Sequence, residues 1–205
     1  MSGRSRARSI GRQVPAGLTR KNILIFVEGD TEEQYLNHYG RIYRSSVLIN
    51  IDRRRGSPMT LVRYAAAERR IQQRDERRVR GRSHDEIWCV FDRDEHPYIT
   101  TAIVMARDNG IAVAFSNPCL ELWFLLHFES QTSELDRHQA QSQAYRHLQC
   151  EPKKLSPKSL GLLVDKLAVA KEHAELLTAR HMDNRSDEFS NPSSTVNRLL
   201  DSIAD

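Results

Sequence analysis

Two short apolar runs, Ile23-Leu24-Ile25-Phe26-Val27 and Ile87-Trp88-Cys89-Val90-Phe91, each break off directly into acids. The first ends at Glu28-Gly29-Asp30 and the second at Asp92-Arg93-Asp94-Glu95. A run this short, with no polar face, reads as a strand covered on both sides, which is the situation of a strand inside a parallel sheet. Val47–Ile51 and Ile111–Phe115 give two further strands of similar length. The segments between them carry helical spacing. Thr31 is positioned to cap a helix bearing Tyr35, Leu36, Tyr39, Ile42 and Tyr43. Ser57-Pro58 opens one running to about Arg78, and Ile99 to Ala106 forms one that stops at Asn109-Gly110. After the fourth strand, Asn117-Pro118 opens a helix with Leu120, Leu122, Trp123, Leu125, Leu126 and Phe128, apolar on most sides and therefore expected to be buried.

This β-α-β-α-β-α-β-α order predicts an α/β fold, a mostly parallel sheet flanked by helices. Beyond Phe128 strand signals cease. Helices are expected over 133–149 and 159–180, with a last one from Asn191-Pro192 to near Ile203. The expected organisation is a basic tail at 1–21 without apolar periodicity, a core over 22–130, and a helical C-terminal extension of the same domain over 131–205.

In a parallel α/β sheet, ligands bind at the carboxyl ends of the strands. Glu28 ends the first strand, and Asp92 and Asp94 end the third, so three carboxylates distant in sequence are presented to one place. Carboxylates brought together repel one another, and a divalent cation relieves that repulsion. Oxygen donors suit Mg²⁺, with Mn²⁺ as an alternative. Glu32 follows Glu28 by one helical turn and can face the same site, or simply favour the helix start. Glu121 lies in the first turn of an apolar helix, where a carboxyl group needs a metal or a structural partner.

The chain's net charge of +4 is unevenly placed. Residues 1–21 hold six basic residues and no acid, and the remainder has 25 basic against 27 acidic residues. Within that remainder, residues 53–82 contain eleven arginines and three acids. Arg53, Arg54 and Arg55, with Arg70, Arg74 and Arg77 of the following helix, are therefore candidates to grip a nucleic-acid backbone. The three cysteines, Cys89, Cys119 and Cys150, form no C-x-x-C pair, and Cys89 and Cys119 are expected in the core. The histidines show no zinc spacing, and no phosphate-binding G-x-x-x-x-G-K-[ST] loop is present. No apolar run suits a membrane span or a secretory signal, so a cytoplasmic protein is expected.

Val27-Glu28-Gly29-Asp30-Thr31-Glu32 resembles the first acidic motif of Toprim domains, and Phe91-Asp92-Arg93-Asp94 resembles their D-x-D motif. Ser116-Asn117-Pro118-Cys119-Leu120-Glu121-Leu122-Trp123, followed by Leu126-His127-Phe128 and later by Asn191-Pro192-Ser193-Ser194, is similar to the signature of the RloB-like family. The resemblance covers about residues 22–200. It implies a Toprim-like sheet, with Glu28, Asp92 and Asp94 as catalytic and Mg²⁺-binding residues, and Glu32 and Glu121 as further metal ligands. It also implies phosphodiester hydrolysis in DNA or RNA, a setting in restriction or anti-phage defence, and an ATPase partner. The alternative is a non-catalytic subunit that binds nucleic acid or a partner on the same scaffold.

Overall fold

A computed structural model describes residues 20–44, 46–76, 84–93 and 96–205. Most of the basic tail expected at the N-terminus, together with Arg77 and Asp94, lies outside the described residues. The elements run β1 (Lys21–Val27), α1 (Asp30–Ile42), β2 (Val47–Ile51), α2 (Pro58–Glu76), β3 (Glu86–Asp92), α3 (Ile99–Asp108), β4 (Ala112–Asn117) and α4 (Leu120–Leu126). They continue with α5 (Arg137–Leu148), α6 (Pro157–Asp165), α7 (Leu167–Asp183), β5 (Ser193–Ser194) and α8 (Val196–Ala204). The strands form one sheet in the order β2-β1-β3-β4-β5, parallel except for the short β5 on the edge. The α/β architecture expected from the alternating runs is therefore present.

Both faces of the sheet are covered, and the two-residue side-chain alternation of each strand divides the core. Ile23, Ile25, Val27, Trp88 and Val90 point to the layer containing α1, α4 and the later helices. Leu24, Phe26, Ile87, Cys89 and Phe91 point to the layer containing α2 and α3. Because neither face of the central strands meets water, their polar residues are confined to the strand ends. Cys89 and Cys119 are fully buried, as expected from the sequence.

Several details differ from the sequence expectations. Gly29, not Thr31, is the residue before α1, and no side chain caps that end. The segment 159–180 is two helices, because the chain turns at Lys166 between α6 and α7. The segment after Asn191-Pro192 first pairs with β4 as β5 and only then enters α8. A two-residue strand has no periodicity to detect. It is fixed by tertiary bonds, with the Thr195 N–H donating to the Phe115 carbonyl and the Phe115 N–H to Thr195 Oγ1. The C-terminal helices do not stand apart: Ala140, Leu163, Ala174 and Leu199 share one buried cluster with β1 and α4.

His127 closes α4 inside this cluster, fully buried and packed edge-on against Trp123. Its Nδ1 lies 2.8 Å from the Trp123 carbonyl, which makes Nδ1 the protonated nitrogen, and Nε2 has no hydrogen-bond partner among the described residues. Burial lowers its pKa from the ordinary 6.5 to about 4. The native state thus holds a neutral imidazole while the unfolded chain takes a proton below pH 6.5. The stabilisation is complete above that pH and is lost as the pH falls toward about 4. Urea denaturation at pH 7 and pH 4 is expected to show that His127→Leu removes about 3 kcal/mol of the acid-induced loss of stability seen in the wild type.

Candidate functional site

The strand order places a switch point between β1 and β3. The chain leaves β1 through α1 on one face to reach β2, and leaves β3 through α3 on the other face to reach β4. The two connections diverge and open a crevice beyond the carboxyl ends of β1 and β3, where open α/β sheets bind ligands. Glu28 and Asp92 stand at this crevice. They are 64 residues apart in sequence, yet the Asp92 N–H donates to Glu28 Oε2 at 3.1 Å. His96 Nε2 lies 3.5 Å from the other Glu28 oxygen. Asp92 is buried. Its preceding neighbours pair β3 with β1 and β4 on either side, so the backbone beneath the carboxylate is held by sheet bonds.

Both acids line a cavity of about 380 Å³ that also takes Glu32 and Glu121. Glu32 is the third helical residue after Gly29, and the N–H groups of Gly29 and of Glu32 itself favour its charged form, as the first turn of a helix does for an acid. A Cβ on residue 29 would come within 3.2 Å of Glu32 Oε2, so glycine leaves the carboxylate its room. Burial holds the Glu32 pKa above the ordinary carboxyl value. The nearby charge of Glu121 pushes it the same way, while the two amide bonds and Arg55 pull against them. Glu32 therefore serves the helix start and faces the cavity at once. Glu121, also buried, accepts a hydrogen bond of 2.7 Å from the Tyr145 hydroxyl of α5.

The structure thus brings Glu28, Glu32, Asp92 and Glu121 to one cavity. Among the described residues, no group of three or more His, Cys, Asp or Glu side chains is arranged to hold a metal ion. Asp94 lies outside the described residues. Of the candidate arginines, Arg55 comes closest to the acids: it pairs with Glu33 in the first turn of α1 and acts electrostatically on Glu32. Arg54 is occupied as a pin, with two 2.8 Å bonds to the Asp52 carboxylate and its guanidinium over Phe26 and Tyr64. Arg53 is exposed on the same loop. Arg70 and Arg74 are displaced from the site. Neighbouring Arg69 bonds the Gly110 carbonyl before β4, and Gln72 bonds His84 before β3, so this end of α2 lies at the amino ends of the strands, opposite the cavity.

In their place the cavity is walled by Arg137, Gln141 and Lys153. Arg137, Gln141 and Tyr145 are spaced by four on α5, a polar stripe facing the acids, while Ala140, Ala144 and Leu148 form its buried stripe. That spacing was a signal available in the sequence. Lys153 sits in a turn with φ of 60° and carries no comparable pattern.

The fold and site define an α/β protein with a carboxylate cavity at the switch point of a parallel sheet. The sequence model of the family described as RloB-like protein matches residues 23–203, and the chain belongs to this family. No curated protein and no solved structure matches the chain.

Tyr145→Phe deletes the donor to a buried carboxyl group and is expected to cost about 1–3 kcal/mol of unfolding free energy in urea. Removing a hydroxyl from half-exposed Tyr64 is expected to change it by no more than about 0.5 kcal/mol.

Proposed function

We propose that the protein is a Mg²⁺-dependent, Toprim-type nuclease that hydrolyses phosphodiester bonds in DNA or RNA. The observation that carries this reading is the meeting of Glu28 and Asp92 at the β1/β3 switch point, in a cavity shared with two further carboxyl groups. The donor set is all oxygen, and Glu32, whose pKa is raised chiefly by burial and further by the nearby Glu121 charge, sits where a cation would favour the ionised form. Mg²⁺ keeps several waters and needs one or two carboxylates directly, so Glu28 and Asp92 suffice as first ligands, with Asp94 added by the D-x-D resemblance. Glu32 and Glu121 would face a second ion. A bound Mg²⁺ supplies Lewis-acid polarisation of a phosphoryl oxygen and a water of lowered pKa.

The protein's own groups do the rest. Asp92 is fixed by the sheet, and its N–H and His96 orient the Glu28 carboxylate. Glu28 acts as a ligand or as the base that takes a proton from the attacking water. Arg55, Arg137 and Lys153 place positive charge around the acids, where phosphate oxygens are to be held. By family resemblance, the reading extends to anti-phage or restriction-associated defence, an ATPase partner and a cytoplasmic location. Among the described residues no helix is long and apolar enough to cross a membrane.

A second reading, a non-catalytic subunit binding nucleic acid or a partner, draws on two observations. Glu121 already has a hydrogen-bond donor in Tyr145, and no preformed three-ligand cluster occurs among the described residues. Cleavage assays separate the two. With Mg²⁺ or Mn²⁺, the wild type, alone or with its ATPase partner, is expected to cut DNA, RNA or transfer RNA. Glu28→Gln and Asp92→Asn are each expected to lower the rate by about 10²–10⁴-fold while nucleic-acid binding persists. Undiminished cutting by Asp92→Asn overturns the nuclease mechanism. Absence of cutting by wild type under every condition favours the subunit reading.

A further inference from the structure

Far from the carboxylate cavity, the strand order gives β2 a neighbour on one side only, so among the described residues it is an edge of the sheet. The register decides which of its backbone groups face outward. The Lys21 N–H donates to the Ser46 carbonyl and the Asp52 N–H to the Ile25 carbonyl, so Leu48 and Asn50, which alternate between them, turn their backbone groups toward β1. Val47, Ile49 and Ile51 turn theirs away. The Val47 N–H is taken by the Tyr43 carbonyl at the end of α1. The N–H and C=O groups of Ile49 and Ile51 meet no partner among the described residues. Such an edge is a template for a further strand.

Beside it lies a recess of about 200 Å³, between the flank of α1 at Asn37 and Gly40 and the start of β2. Arg20, Arg41 and Arg44 line the recess, and no acid does. All three arginines are exposed. Arg20 donates to the Arg44 carbonyl at 3.2 Å, a bond that leaves its charge unopposed, and Arg41 and Arg44 form no ion pair among the described residues. Leu48, 42% exposed, adds an apolar side chain to the same edge.

We propose that β2 accepts an acidic, extended segment of another protein as an added strand. The outward N–H and C=O groups recur on every second residue, the period of a peptide strand, and supply affinity through main-chain hydrogen bonds. The arginines select among strands by charge. A second copy of this chain is disfavoured in either direction. Parallel pairing of two β2 edges sets Arg41 and Arg44 against themselves, and antiparallel pairing brings them toward the exposed Arg53 that follows β2. The two longer segments outside the described residues, 1–19 and 77–83, carry four arginines each and no acid, so the same charge repels them. The arginines thus guard the edge against self-pairing and favour an acidic partner. This inference is independent of the nuclease reading.

Amide hydrogen exchange followed by NMR on the full chain tests it, with a short peptide alternating glutamate and valine as the probe. In the free protein at low concentration, the Ile49 and Ile51 amides are expected to exchange faster than those of Leu48 and Asn50, which bond to β1. The acidic peptide is expected to slow Ile49 and Ile51, and the same peptide with lysine for glutamate is expected not to. Arg41→Ala with Arg44→Ala, both exposed, is expected to weaken peptide binding several-fold and to reduce its salt dependence. Slow exchange of Ile49 and Ile51 in the free chain overturns the proposal, because the chain then covers its own edge. Protection that appears only as protein concentration rises overturns it in favour of a second copy. Failure of the acidic peptide to bind, binding that leaves Ile49 and Ile51 unprotected, or unchanged affinity in the arginine variant also overturns it. So does displacement of the peptide by oligothymidylate of equal charge at equal concentration, which would assign the arginines to a nucleic-acid backbone.

Discussion

Burial of the central strands on both faces is the constraint from which the site follows. β1 and β3 are apolar along nearly their whole length because helices cover them above and below. A carboxylate cannot be placed within such a strand without losing its hydration, so the acids occur where the strand runs out. The divergence of the α1 and α3 connections then determines which strand ends form a crevice, and those are the ends carrying Glu28 and Asp92. Sheet hydrogen bonding gives this pair a rigid base, the condition a site needs if it is to hold charged groups close together.

The helices after α4 complete the site rather than decorate it. Their apolar stripes join the cluster that covers one face of the sheet. With that face docked, α5 turns Arg137, Gln141 and Tyr145 toward the acids. Tyr145 links the stability of the later helices to the position of Glu121. The cavity acquires its positive wall from the same docking. Acids and cations thus come from opposite sides of one space, the core sheet supplying the first and the helical extension the second.

Much of this was legible in the sequence because it depends on local patterns. The apolar runs located β1 to β4 within a residue or two, and their abrupt acidic ends located Glu28 and Asp92. The remaining features depend on tertiary contacts that leave no period. The split between α6 and α7 falls at Lys166 without proline or glycine, and β5 exists through its bonds to β4. The arginine-rich segment shows a related limit: composition registers charge but not which end of the strands a helix turn reaches, and α2 carries Arg70 and Arg74 toward the amino ends of β3 and β4. Arg137 reaches the cavity because α5 docks beside it, and Lys153 reaches it from the turn that follows α5.

The proposed function requires Glu28 and Asp92 to form one cation site, which anomalous diffraction from crystals grown with Mn²⁺ can check. An anomalous peak is expected within coordination distance of both carboxylates. Ordered Mn²⁺ bound elsewhere, with Glu28 and Asp92 contacting no ion, would contradict it.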